Sequence, residues 1–170
     1  MLTELRRGLD AVVQSTPDLI KAETSRPYWA TVNRTILLVD DNKTDVDLVK
    51  RSLSSGPEAP RLVVASDGDE ALRILRAAPR DSSRPALILL DLNLPRKNGH
   101  QVLAEIKEDP ALKHIPVVVL TSSNAERDIL GAYDLHANCY LTKPMDIDGF
   151  TAALRGIEAF WLSLAKLPSH

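Results

Sequence analysis

The sequence predicts an α/β fold: a doubly wound sheet of five parallel strands with helices on both faces. Three observations predict it. Five short aliphatic runs recur along the chain, each bounded by turn residues, as expected for strands buried on both faces. Stretches with apolar residues at helical spacing separate the runs, and strands alternating with helices imply parallel pairing through right-handed crossovers. The third observation is chemical. Four of the five runs end on aspartate, threonine or, just beyond, lysine, and open α/β sheets place their ligands outside the carboxyl ends of their strands.

The chain has 170 residues, 44% hydrophobic and 26% charged, the mix of one ordinary globular domain. Its 21 basic and 23 acidic residues nearly cancel, which gives no electrostatic reason to expect a nucleic acid or an acidic membrane as partner. No apolar run approaches the length a bilayer requires. Met1 to Asp10 carries Glu4 and Asp10 and lacks the apolar core of a signal peptide, so a cytoplasmic setting is expected. The single cysteine, Cys139, excludes an internal disulfide and reads as a small core hydrophobe.

Residues 1–33 form an N-terminal extension ahead of the domain at 34–170. Leu2, Leu5, Leu9, Val12 and Val13 recur at helical spacing, and Thr16-Pro17 resembles a second helix start. This fits either a helical arm that docks on the domain or a partner, or a frayed extension.

The first strand is Thr35 to Val39, ending at Asp40-Asp41. Asn42 or Lys43 then opens a helix with Val46, Val49 and Leu53 on one stripe, stopped at Ser54-Ser55-Gly56-Pro57. Arg61 to Ala65 is the second strand. Ser66-Asp67-Gly68 caps the next helix, whose apolar face is Ala71, Leu72, Leu75 and Ala78. The third strand, Leu87 to Leu90, delivers Asp91, and the chain around it serves that carboxylate. Asn98-Gly99 is a loop tip able to take positive φ. Val102, Leu103 and Ile106 mark the third helix, ended before Pro110.

Ile115 to Leu120 is the fourth strand, ending at Thr121, and Ser123-Asn124-Ala125-Glu126 has the pattern of a capping box. The helix it opens is weak, with only Ile129, Leu130 and Tyr133 as sizeable apolar residues. Ala137 to Leu141 is the fifth strand, followed by Thr142-Lys143-Pro144. The last helix spans about Asp148 to Ala165. Its stripe is Phe150, Ala153, Leu154, Ile157, Phe160, Trp161 and Leu164, with Leu162 partly outside. One stripe suffices to cover a sheet. The surplus predicts a homodimer through this extended C-terminal helix.

Asp40, Asp41 and Asp91 therefore meet at one sheet edge with Thr121 and Lys143. Clustered carboxylates repel unless a hard cation neutralises them, and Mg²⁺ takes oxygen ligands beside phosphates. Lysine supplies a point charge for phosphate oxygens, and threonine a further donor. Each residue alone has an ordinary reading: Asp40-Asp41 as a turn or cap, Thr121 as a cap, Tyr140 as a core aromatic. Together they point to phosphoryl transfer onto Asp91. The four histidines, His100, His114, His136 and His170, share no metal-ligand spacing. No Gly-rich phosphate loop follows any strand.

The order and spacing of Asp40-Asp41, Asp91, Thr121 and Lys143-Pro144 resemble the receiver domain of two-component response regulators, over roughly residues 34 to 165. The segments Asp91 to His100 and Ile115 to Ser123 resemble the single-domain regulators that partner phytochromes. The resemblance implies a flavodoxin-like (β/α)5 fold and Asp91 as phosphoacceptor. It implies a Mg²⁺ site (Mn²⁺ as an alternative) formed by Asp40, Asp41, Asp91 and the backbone carbonyl of Asn93. Lys143 would pair with the phosphate ahead of a cis Pro144 peptide, and Thr121 with Tyr140 would form the switch. The implied partner is a sensor histidine kinase, with a phytochrome as the finer expectation. Few residues follow Leu164, so the chain is expected to signal by binding and not as an enzyme with its own substrate. Two rivals are weighed. An aspartate-nucleophile phosphatase needs a second acid where Asn93 stands, and a pseudo-receiver would not need the intact acid pair, Asp91 and Lys143.

Overall fold

The computed structural model describes residues 34–55, 59–78 and 84–168, so the N-terminal extension at 1–33 lies outside the described residues. The strands are β1 (Thr35–Val39), β2 (Arg61–Ala65), β3 (Leu87–Leu90), β4 (Val117–Thr121) and β5 (Cys139–Thr142). The helices are α1 (Lys43–Ser52), α2 (Gly68–Ala77), α3 (Gly99–Glu108), α4 (Glu126–Asp134) and α5 (Ile147–Ala159). The strands pair in parallel in the order β2-β1-β3-β4-β5. Val39 stands beside Ala65 on one side and Leu90 on the other. The chain steps one way from β1 to β2, then back across β1 to β3. The crevice between β1 and β3 is therefore the switch point where ligands of such sheets bind.

The strands are aliphatic on both faces because both are covered. Leu37, Val39, Ile88, Leu90, Val117 and Val119 pack with Leu72, Leu75, Leu103 and Ile106, under α2, α3 and α4. Ile36, Leu38, Leu87, Leu89, Val118 and Leu120 pack with Val46, Val49, Phe150 and Leu154, under α1 and α5. Alternate residues feed opposite layers, as the period of a strand requires. Every residue of β3 and β4 is buried. Each such aliphatic side chain contributes about 1.5–3 kcal/mol relative to leaving it exposed, which makes β3 a rigid support for Asp91 at its end.

Four helices start on side-chain caps at the strand-end edge, α5 on Asp146, which accepts from the Gly149 N–H. Asn42 accepts from the backbone N–H of Thr44 and Asp45, Asp67 from that of Glu70, and Asn98 from that of Gln101, whose side chain accepts in return from the Asn98 N–H. The capping box is thus at α3 and not at Ser123. Helix α4 begins after Ala125 without a side-chain cap, because Ser123 turns its hydroxyl to the Asp128 carboxylate. In the β3–α3 loop the positive φ falls on Arg96 (63°), while Asn98 is extended at φ −68°, ψ 160°, the geometry an N-cap needs.

The C-terminal helix also departs from the expected stripe. It is α-helical only to Ala159 and continues as one π-helical turn, Phe160–Leu164, closed by the Ala165 N–H donating to the Phe160 carbonyl (2.8 Å). The extra residue in that turn rotates the end of the helix. Leu162, off the α-helical stripe, is 4% exposed, while Leu164, on it, is 75% exposed. Glu158 is buried on this side, accepting from the Ser54 N–H (3.0 Å) and paired with Arg34 (3.6 Å). Arg34 also donates to the Leu162 carbonyl (3.2 Å), so a buried acid and its partner tie the helix end to the entry of β1.

Candidate functional site

Asp40 follows β1, Asp91 follows β3 and Lys143 follows β5, so three strand ends on one rim converge. The Lys143 backbone N–H donates to the Thr121 carbonyl (2.7 Å), which extends the β4–β5 pairing by one bond and aims the side chain at the crevice. Its Nζ donates to Asp40 Oδ2 at 2.8 Å, Asp91 Oδ2 at 2.8 Å and Asp45 Oδ2 at 2.7 Å. The lysine side chain is 9% exposed, and Asp40 and Asp91 are 2% and 7% exposed. The other carboxylate oxygens are also held. Asp40 Oδ1 accepts from the Asn42 N–H and Asp91 Oδ1 from the Asn93 N–H, each at 2.9 Å.

Burial raises the Asp40 pKa above the usual carboxylate value, and the hydrogen bond and charge of Lys143 only partly offset it. Burial pulls the Lys143 pKa down, but its hydrogen bonds to Asp40, Asp45 and Asp91 outweigh that and leave it raised, so the ammonium stays charged. One ammonium does not balance the cluster. Oxygens of Asp40, Asp45 and Asp91 lie within 4.8 Å of one another. Two like charges about 4 Å apart repel by about 4 kcal/mol near a protein surface. Three carboxylates against one lysine leave two negative charges, which a divalent cation cancels. The all-oxygen donor set fits a hard ion of that charge.

Asp41 follows Asp40 but is exposed and lies outside that set. Asp45, which the sequence pattern did not single out, occupies it. It stands in the first turn of α1, and the only sequence signal for it was its place three residues after the Asn42 cap.

Asn93 links the acceptor loop to β4. Its backbone donates to Asp91, and its Nδ2 reaches Thr121 Oγ1 (3.3 Å). Thr121 is fully buried and also accepts from the Ser123 N–H (3.4 Å). The Tyr140 hydroxyl donates to the Ser123 carbonyl (2.9 Å), and burial raises its pKa. Thr121 and Tyr140 thus meet at one segment, the β4–α4 loop. No described peptide bond is cis, so Lys143–Pro144 is trans, unlike the form the resemblance implies; the intrinsic gap between the forms is only about 0.5–1 kcal/mol.

Comparison with known proteins agrees with this architecture. The response regulator receiver domain model matches residues 36–155. Response regulator Rcp1 of Synechocystis is 47% identical over 138 residues, covering 80% of this chain and 94% of Rcp1. The crystal structure of the phosphorylated cyanobacterial phytochrome response regulator RcpA is 51% identical with a TM-score of 0.74, covering 79% of this chain and 98% of RcpA. The Mn²⁺-bound structure of Rcp1 superposes with a TM-score of 0.72 at 47% identity, covering 79% of this chain and 99% of that one. The five-stranded parallel sheet is the receiver fold, and the chain belongs to the response regulator receiver domain family.

Proposed function

We propose that Asp91 accepts a phosphoryl group from a sensor histidine kinase, in a reaction that depends on Mg²⁺ or Mn²⁺. The carrying observation is Lys143 Nζ at 2.8 Å from Asp91. An Asp91 oxygen attacks phosphorus as the bond to the kinase's phosphohistidine nitrogen breaks, and the imidazole leaves. By the family resemblance, Asp40, Asp41, Asp91 and the Asn93 carbonyl would hold the cation, whereas the resting geometry groups Asp40 and Asp91 with Asp45 and leaves Asp41 exposed. When bound, the cation would supply neutralisation of the charge on the transferring phosphoryl group. Lys143 places a second positive charge there, and the Thr121 hydroxyl offers a donor once it leaves its resting contacts.

The test is intact mass after incubation with acetyl phosphate and Mg²⁺. One added phosphoryl group is expected, absent from Asp91→Asn and from samples with EDTA. An unmodified parent would refute the reading and favour an interaction module.

The phosphorylated chain signals by altered binding and is not an enzyme with its own substrate. Helix α4 supports this, since only Ala132 on it is buried while Leu130 and Tyr133 are 56% and 49% exposed. Weakly packed elements are the ones that move. A near-complete switch needs about 5.5 kcal/mol of bias between states. Similarity to Rcp1 and RcpA supports a phytochrome as the kinase. Nearly balanced charge supports a protein partner over nucleic acid or membrane, and membership of the receiver family supports a cytoplasmic setting. Among the described residues no helix is long and apolar enough to cross a membrane.

The C-terminal helix supports a homodimer. Phe160 is 52% exposed, Leu164 75%, and Trp161 meets Phe160 edge-to-face at 5.1 Å. Gel filtration of Trp161→Glu tests this: the parent should elute as a dimer and the variant as a monomer. A dimeric variant or a monomeric parent overturns it.

A further inference from the structure

We propose that Asp45 is a positioning residue: it tethers the Lys143 ammonium in the crevice when Asp40 and Asp91 are taken up by the cation and the phosphoryl group. The proposal rests on the reading of Asp91 as phosphoacceptor.

An ammonium has three N–H donors. All three are matched here, by Asp40, Asp45 and Asp91 at 2.7–2.8 Å. Two of these partners have other work in the proposed reaction. Asp40 would hold the cation, and Asp91 becomes an acyl phosphate whose negative charge lies on the phosphoryl oxygens. Asp45 lies beside these groups in the resting cluster, but in the proposed reaction Asp41 and the Asn93 carbonyl complete the cation's ligands, so the Asp45 charge stays available to Lys143 throughout.

The geometry suits a fixed anchor. Asn42 caps α1 and accepts from the Asp45 N–H (3.4 Å), while Val46 and Val49 seat the helix in the core. Lys143 is more buried than its tether, with side-chain exposures of 9% and 26%. A buried cation on a long flexible stem needs a constant counter-charge to stay in place. Asp45 provides it from a different element, across the crevice from β5.

The alternative is that Asp45 merely suits the positive end of α1, as any first-turn acid does. Asp45→Asn keeps the shape and removes the charge. Asp47→Asn is the control, because Asp47 is on the same helix, 49% exposed and near Lys50. Two readouts are taken on the full chain. The first is the Lys143 ammonium signal in nitrogen-15 NMR, with and without Mg²⁺ and with no phosphoryl donor. It should persist with Mg²⁺ in the parent and in Asp47→Asn, and be lost to water exchange in Asp45→Asn.

The second is the initial rate of phosphorylation by acetyl phosphate at subsaturating donor. It should fall roughly tenfold in Asp45→Asn, as displaced positioning groups do, and stay within about twofold in Asp47→Asn. An Asp45→Asn protein that keeps the signal with Mg²⁺, or that keeps the parental rate, overturns the proposal. If the parent itself takes up no phosphoryl group, it is the Asp91 reading that fails, and the ammonium signal alone then decides the tether.

Discussion

Replacing Gly99 by alanine should damage both stability and the site, because of where its Cβ would fall. It would overlap the Asp91 carbonyl oxygen and sit 2.5 Å from Leu92 Cα, and neither backbone atom can rotate away. Gly99 begins α3 and its N–H donates to the Leu92 carbonyl (3.0 Å), while the Asp91 N–H donates to the Val39 carbonyl (3.0 Å). Relief therefore requires moving one of two hydrogen-bonded segments. Overpacking costs about 1–3 kcal/mol, and a weakened backbone bond adds about 1 kcal/mol. The expected loss is about 2–4 kcal/mol, a large share of the ~5–15 kcal/mol typical of a domain.

The assay is equilibrium urea unfolding, where this loss lowers the midpoint by about 1–2 M for a domain of ordinary m-value. Acetyl phosphate labelling of the same variant should slow, since the strand end carrying Asp91 has shifted. Gly156→Ala is the contrast. It lies inside α5 with nothing within 4 Å of an added Cβ, so it should stabilise by about 0.5–1 kcal/mol. A Gly99→Ala protein within about 0.5 kcal/mol of the parent would refute the packing argument.

Other parts of the fold carry their own expected outcomes. The π-helical turn makes Leu162→Ala cost about 2–5 kcal/mol, whereas Leu164→Ala should stay within about 0.5 kcal/mol; chemical denaturation of the pair separates this register from a continuous α-helix, which would favour the reverse order. Mg²⁺ at a hundred times its dissociation constant should raise the unfolding free energy by about 2.7 kcal/mol in the parent, and a much smaller rise is expected in Asp40→Asn. The Glu70 carboxyl is held below its ordinary value of 4.5, chiefly by the Ser66 backbone N–H and then the Ser66 hydroxyl. A depressed carboxyl pKa stabilises the fold above the unfolded value and loses that contribution as pH falls through the folded one. The urea midpoint of Glu70→Gln should therefore lie below the parent at pH 7, with the gap closing below pH 4.5; a gap that does not change with pH would contradict the hydrogen-bond origin.

Much of this architecture is legible before any coordinates. The five short aliphatic runs, bounded by turn residues, read as strands, and each appears within two residues of its predicted bounds. Asp40, Asp91, Thr121 and Lys143 lie at or just past strand ends, so the topology of a parallel sheet brings them to one edge. The misleading signals come from local competition that composition does not show. Ser123 has the pattern of a cap, but the nearby Asp128 carboxylate takes its hydroxyl.

The sequence alone determines the parallel α/β fold and the strand-end residues, because burial on two faces imposes continuous aliphatic runs and their ends share one rim. The tertiary structure adds the contacts between distant elements. Asp45 reaches Lys143 across 98 positions, Arg34 reaches Leu162 across 128, and a single π-helical turn exchanges the buried and exposed leucines of the last helix. Such contacts depend on the angle at which one element meets another, and no periodicity within either element carries that angle.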